Sequence, residues 1–323
     1  MKRAIFGATG AVGKSLAAQW AAAGYSFRVV GRSRERLVRD FARYRDLVEY
    51  CVADLADPKG AAEAARGADV VFYLVGVPYT DFALHPKLTR VALDAAAANG
   101  VGRFILQGTV YPFGMPQTPL VDESHPREPH TFKGKMRKEQ EDLVLSADGR
   151  GGMRTAVLRA PDFYGPDAEL GYMSSLFHAA VEGGRAQVIG PIDVPHEFIY
   201  VPDLARTLTA LSETAKAYGA SWNVGGPGTI TVRRFAELVF AAAGRKPKMM
   251  VAGGAVLRLM GIFSPFMREV AEMHYLWKTP LQLDDARLRG LLGDVQKTPY
   301  EEGIRSTVEI LMARRQSKDG AVK

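Results

Sequence analysis

The chain has 323 residues, 47% of them hydrophobic and 24% charged, with a formal net charge of +7 and an isoelectric point near 9.4. Those totals suit about two domains at ~150 residues each in an ordinary globular protein that buries a sizeable core; the single Cys51 excludes an internal disulfide and reads as a core residue. The positive balance admits an anionic partner, but Arg34, Arg36, Arg39, Arg43 and Arg45 read as a solvated helix face. Without interleaved aromatics, nucleic acid is not expected.

In chain order, "RAIFG" is a buried strand, and "GATGAVG" (residues 7–13) turns it into the helix "GKSLAAQWAAAG", which Gly24 stops. "SFRVVG" is a second strand, with a helix starting at Ser33. "LVEYCVADL" and "DVVFYLVG" are further strands with "PKGAAEAARG" between them. "PKLTRVALDAAAANG" is a helix, "RFILQG" a strand, "KGKMRKEQEDLVLSA" a helix and "MRTAVLRA" a strand. Alternation of this kind, with fully apolar strands, predicts an α/β fold: a doubly wound, Rossmann-type parallel sheet covered by helices on both faces.

After Arg159 the pattern loosens. "DFYGPDAELG" reads as a loop, "YMSSLFHAAVEGG" as a helix, "EFIYVPDLARTLTALSETA" as a strand and helix, and "SWNVGG" as a last short strand. From "TITVRRFAELVFAAAG" onward the chain is mostly helical. The expected division is a dinucleotide-binding domain over 1–165, with 186–225 returning to its sheet. A smaller substrate lobe takes 166–185 and 226–316, and a frayed tail takes 317–323. No leader segment or run of ~18 apolar residues is visible. A cytoplasmic protein with no membrane partner is the expectation, and no metal is expected.

The turn at 7–13 carries the first chemistry. Gly7 permits the tight bend, Gly10 lets backbone approach a pyrophosphate, and Gly13 lets the helix pack on the sheet. With Thr9, Ala11 and Val12 they form a phosphate cradle at a helix N-terminus. A site for NAD usually shows an acid after the second strand; here Gly31-Arg32-Ser33 follows it. Arg32 cannot accept bonds from ribose hydroxyls, but its guanidinium suits a 2′-phosphate, so NADP is expected over NAD. Ser33 reads either as a further donor or as a helix N-cap.

The spacing GxxGxxG, with "VADLAD", "YLVG" and "RFILQGTVYPFG" after the third, fourth and fifth strands, resembles the extended and atypical short-chain dehydrogenase/reductases. "VLRAPDFYGP", "HEFIYVPDLARTL" and "WNVGGPGTITVRRFAELV" are similar to their NAD-dependent epimerase/dehydratase group. The resemblance implies that Asp54 and Leu55 meet the adenine and that Val75, Gly76 and Val77 line the path of the ribose and nicotinamide.

It also implies a tyrosine–lysine pair, YxxxK, on the helix after the fifth strand, the lysine lowering the phenol's pKa. No tyrosine in this chain has a lysine four residues later. In "HTFKGKMRKEQED" the family's later K-xxx-E spacing is met by Lys135 and Glu139, which puts Thr131 at the tyrosine position; Lys133 and Lys138 are the alternative registers. Thr109 aligns with the family residue that bonds the substrate carbonyl. Tyr111 and Tyr164 are the phenols available from other directions. Isoflavone-reductase-like members of the superfamily resemble this chain in relying on lysine without that tyrosine.

His196 stands where many sugar-nucleotide members carry an arginine, and it reads as a loop residue; its imidazole lacks the fixed charge and fork of arginine. The apolar "VLRLMGIFSPFMREVAEMHYLW" reads as core, with a pocket wall and a membrane-surface helix as alternatives. The expected function is NADPH-linked reduction of a carbonyl on a small, partly apolar molecule. An epimerase or dehydratase holding NADP and a dinucleotide-binding sensor are the alternatives, and a homodimer is compatible with either.

Overall fold

Residues 1–168 and 172–321 of the computed structural model are described here, with side chains to 317. Residues 169–171 of the expected loop and 322–323 of the expected tail lie outside them. The first half alternates β1 (Arg3–Phe6), α1 (Ala11–Ala22), β2 (Phe27–Gly31), α2 (Arg34–Phe41), β3 (Val48–Val52) and α3 (Pro58–Ala65), then β4 (Val70–Tyr73), α4 (Leu84–Ala98) and β5 (Arg103–Thr109). There follow β6 (Leu120–Val121), α5 (Phe132–Ser146), β7 (Arg154–Ala160), β8 (Asp162–Tyr164), α6 (Ser174–Glu182), β9 (Ala186–Ile189), β10 (Pro195–Tyr200), α7 (Val201–Glu213) and β11 (Ala220–Asn223).

Seven of these strands form one sheet in the order β11-β7-β5-β4-β1-β2-β3, and every neighbouring pair is parallel. Parallel neighbours need crossovers, and the crossovers put helices on both faces. Leu16 and Trp20 of α1 pack with Leu204 and Leu208 of α7 on one side. Ala61 and Ala64 of α3 pack with Leu93 of α4 and Val144 of α5 on the other. β1 is buried along its whole length, which is why it reads as a continuous apolar run. This is the Rossmann-like α/β fold the sequence predicts.

The remainder is β12 (Thr229–Thr231), α8 (Val232–Ala242), β13 (Met249–Ala252), α9 (Gly254–Phe263), α10 (Pro265–Glu272), α11 (Tyr275–Lys278), β14 (Gln282–Leu283), α12 (Ala286–Leu292) and α13 (Tyr300–Ala321). It is mostly helical, and its aromatic core gathers Tyr164, Phe177, Phe198, Phe235 and Tyr300. Small sheets tie it to the rest: β12-β10-β8, β13-β9 and β14-β6. Of residues 186–225, α7 and β11 join the main sheet structure, whereas β9 and β10 pair away from it. Asp162–Tyr164, expected as loop, is the strand β8, parallel to β10. α13 runs on through the expected tail to Ala321.

One buried ion pair sets how α5 lies on the sheet. Arg159 of β7 gives Nε and Nη2 to the Glu141 carboxylate at 3.0 and 2.9 Å, both residues about 1% exposed. Arg127 adds a further hydrogen bond at 3.2 Å. Gly108 of β5 makes the room, since a Cβ there would lie 3.2 Å from Glu141 Oε1 and 3.0 Å from Val157. Glu141→Ala strands the Arg159 guanidinium in the core, so it should destabilise the fold by about 3–5 kcal/mol. Urea unfolding measures this; a loss near zero means the pair does not hold the helix.

Candidate active site

The strand ends come first. Gly7 has φ +84°, and a Cβ there would sit 2.9 Å from the Leu74 carbonyl oxygen. A Cβ on Gly13 would fall 2.4 Å from the Ala8 oxygen, so α1 approaches the turn as closely as a glycine allows. Gly10 differs. Its Cβ would meet only Gly7 O at 3.5 Å, and its φ is an ordinary −77°. Protein packing therefore accepts a side chain at 10, and an open position fits a ligand resting on the backbone. No side chain caps α1, which leaves its N-terminus to an anion. Thr9 is half-buried beside this turn, and Ala11 and Val12 are buried. These residues fit a dinucleotide.

The neighbouring strand ends carry the other cofactor candidates. Arg32, one residue past β2, is exposed and makes no ion pair or hydrogen bond among the described residues. Ser33 is the N-cap of α2, its Oγ accepting from Arg36 N at 3.2 Å. Asp54, past β3, uses one carboxylate oxygen to accept from Ala56 N at 3.0 Å, and Leu55 is buried. Val75 and Val77 are half-buried and Gly76 exposed just beyond β4. Strand register brings all of them to one carboxyl edge, Phe6 lying opposite Val30 and Tyr73, and Gly31 opposite Val52. Ligands of open α/β sheets bind along such an edge.

The register of α5 corrects one sequence expectation. Lys135 is exposed, and so is Glu139. Thr131 is the N-cap, its Oγ1 accepting from Gly134 N at 3.1 Å. The inward face instead carries Lys133, Arg137 and Glu141 at i, i+4 and i+8, one stripe of a helix. Lys133 is fully buried and ion-paired with Glu269 and Glu272 of α10. Its ammonium lies 5.4 Å from the Tyr79 ring centre and 5.7 Å from that of Phe82. Arg137 donates to neutral His85 at 3.2 Å and to the Gln107 carbonyl at 3.3 Å. Burial, helped by the Arg137 charge, pushes His85 down to about 2. On this inward face Lys133, Arg137 and Glu141 follow one another at four-residue intervals, Lys133 two residues before and Arg137 two residues after Lys135.

Thr109 ends β5, half-buried, and Tyr111 follows within two residues. The Tyr111 and Tyr79 hydroxyls share a hydrogen bond of 2.7 Å. Burial holds both phenols un-ionised, pushing Tyr79 up to about 12 and Tyr111 well above its usual value. Asp162, at the start of β8, faces the same cluster: its charge raises Tyr79, Tyr111 and Tyr172. It finds no hydrogen-bond donor among the described residues; although its side chain is still 34% exposed, partial desolvation raises its carboxyl, to about 6. His196 Nε2 lies 3.9 Å away. That histidine is buried on β10, its ring stacked on Phe198 at 5.3 Å, and burial lowers it to about 4, so it is neutral. It is not a loop residue.

Tyr164 stands apart. It is 1% exposed inside the aromatic core of the smaller lobe, 5.1 Å from Phe235, with its hydroxyl unbonded, and it does not reach the cleft. Sequence reasoning missed Arg137, Tyr79 and Asp162. The i+4 spacing of Lys133, Arg137 and Glu141 is the signal that finds the first; the second and third had none.

A family model described as the NAD dependent epimerase/dehydratase family matches residues 4–225. Among curated proteins, the chain is 24% identical over 292 residues to a 3beta-hydroxysteroid-dehydrogenase/decarboxylase isoform 1 of Arabidopsis thaliana, covering 81% of this chain and 66% of that one. Isoform 2 is 25% identical, and the chain spans 52% of its length. A dTDP-glucose 4,6-dehydratase of Streptomyces griseus is 25% identical over 217 residues, 64% of each chain. Among solved structures, a dTDP-glucose 4,6-dehydratase from Streptomyces venezuelae with NAD bound superposes with a TM-score of 0.82 at 17% identity, covering 98% of both chains. A UDP-glucuronic acid 4-epimerase from Bacillus cereus with NAD gives 0.78 at 17% identity over 97% of this chain and 99% of that one. Glycine turn, parallel sheet and sequence match agree: the chain belongs to the NAD-dependent epimerase/dehydratase family.

Proposed function

We propose that this chain is an NADP-dependent oxidoreductase that reduces a carbonyl on a small, partly apolar substrate. The observation that carries the reading is the pair Lys133–Arg137 on the inward face of α5, beside the phenols and carboxyl of the cleft. The turn at Gly7–Gly13 would hold the pyrophosphate of a bound dinucleotide, and Arg32 would be the cation available to a ribose 2′-phosphate. A bound nicotinamide dinucleotide supplies hydride transfer.

The chain's own residues supply charge and a proton. Lys133 takes the tyrosine position: an ammonium there polarises a substrate oxygen and has a proton to give. Glu269 and Glu272 hold it in place. Arg137 keeps a permanent cation at the lysine position, since guanidinium does not deprotonate in this range. Tyr79 and Tyr111 stay neutral and offer hydroxyls. The relatives' names favour a second reading, an epimerase or dehydratase that keeps its cofactor. Cofactor retained through purification, with no net NADPH consumption, supports that reading.

Three measurements test the proposal. Charge-assisted hydrogen bonds contribute about 1.5–3 kcal/mol each, so Arg32→Ala should weaken NADPH roughly tenfold or more in calorimetric titration and leave NADH nearly unchanged. Equal affinity of the wild type for both nucleotides overturns the NADP assignment.

In single-turnover oxidation of NADPH with an accepted carbonyl, Lys133→Met should react about 10²-fold slower or worse, while Lys135→Met stays near wild type. The reverse pattern returns the role to Lys135, and a dead Tyr111→Phe with active Lys133→Met moves it to the phenol.

Asp162 gives a pH test independent of turnover. Its folded pKa of about 6 lies above the ordinary value of 3.8. The stability it lends is therefore full below the ordinary value and lost as pH rises through about 6. Thermal melting should show Asp162→Asn gaining on the wild type between those limits. Parallel curves mean the carboxyl is not desolvated.

A further inference from the structure

The segment "VLRLMGIFSPFMREV" reads from sequence as core, yet much of it faces outward. Leu257 and Val270 are buried, but Ile262 is 69% and Phe263 83% exposed. On α9, Val256, Leu259, Met260 and Phe263 lie at i, i+3, i+4 and i+7, so they form one outward apolar stripe. Phe266 at the start of α10 extends it. A contiguous apolar face rimmed by polar residues marks an interaction surface.

Charge narrows the partner. Lys246, Lys248, Arg258, Arg268 and Lys278, on and beside this hairpin, are all exposed. Its two carboxylates, Glu269 and Glu272, are turned inward onto Lys133. The exposed acid on the element packed against α10 is Asp81, on the Tyr79–Asp81 turn. The face is thus apolar in the middle and cationic at its margins. Two copies pressed together through it would set like charges against each other, whereas an anionic bilayer takes both the apolar stripe and the cations. No helix among the described residues is long and apolar enough to cross a membrane, so contact is with one leaflet.

We propose that the α9–α10 hairpin docks this protein on an anionic phospholipid surface, inserting Leu259, Ile262, Phe263 and Phe266 to headgroup depth. The same hairpin borders the cleft: α10 holds Lys133 through two carboxylates, and Phe266 lies 6.3 Å from the Tyr79 ring. A partly apolar substrate dissolved in the bilayer therefore reaches the site beside the docked surface. The docking claim stands apart from the reductase reading, and its test needs no turnover.

Flotation of the full chain with vesicles reads it. Vesicles of phosphatidylcholine mixed with phosphatidylglycerol should carry the wild type, and phosphatidylcholine alone should carry roughly tenfold less. High salt should release it. The double variant Ile262→Glu, Phe263→Glu should stay with the soluble fraction at an unchanged melting temperature, because both positions are exposed. Absence of wild-type flotation on mixed vesicles overturns the proposal, as does undiminished flotation of the double variant. Sedimentation velocity covers the rival: a dimer that the double variant dissociates, without vesicle binding, assigns the face to a second copy.

Discussion

The Glu141–Arg159 pair is the constraint on which the active-site geometry rests. A helix packed on a sheet through small and aliphatic side chains can rotate by a fraction of a turn at little cost, because dispersion contacts have no direction. A buried bidentate ion pair has direction, and it costs heavily when only one partner remains. Once Glu141 is fixed under β5 and β7, residues four and eight earlier must face the same way. Lys133 and Arg137 then have no choice but the cleft, and Lys135 none but solvent. Gly108 supports this from beneath by leaving space for the carboxylate.

The sheet was legible because its signals are local. Apolar runs between helical segments, and a glycine turn with a strand before it and a helix after it, each have one structural meaning. The cofactor edge followed, since strand ends align once the sheet is known. The register of α5 was harder. Both K-xxx-E at Lys135–Glu139 and the stripe Lys133–Arg137–Glu141 satisfy helical spacing, and only burial chooses between them. The tie-breaker is Arg159, eighteen residues away from Glu141 in a different element. Asp162 and Tyr79 gave no pattern because their role comes from the convergence of β4, β5 and β8. Tyr164 misled for the same reason: a residue at a strand end points toward a cleft or into a core according to what packs over it. The apolar hairpin was misread because a helical stripe has the same period whether it faces inward or outward.

Within the cleft, burial acts in opposite senses on acids and bases. Asp162 is lifted to about 6, while His196 falls to about 4. Both changes suppress charge, though Asp162 keeps a third of its side-chain surface exposed. Lys133 is ion-paired with two carboxylates, and those carboxylates come from the smaller lobe. The site's cation is therefore a joint product of sheet and lobe, and neither half presents it alone.

That dependence extends to how the chain can be divided. Residues 4–225 match the family model, yet β6 within that span pairs with β14 near residue 282. The buried Glu197 carboxylate accepts from Leu283 N at 2.8 Å, and the Tyr300 hydroxyl takes Phe198 N at 3.0 Å. Asp203 on α7 is met by Thr298 N at 2.7 Å. A polypeptide ending near 225 would lose both these partners and the residues beyond 225 that cover Phe198 and its neighbours. The family-matching stretch is thus tied by hydrogen bonds to the segment that follows it. During synthesis, the bonds that Glu197, Phe198 and Asp203 make with Leu283, Tyr300 and Thr298, and the pairing of β6 with β14, can close only once the last fifty residues have emerged.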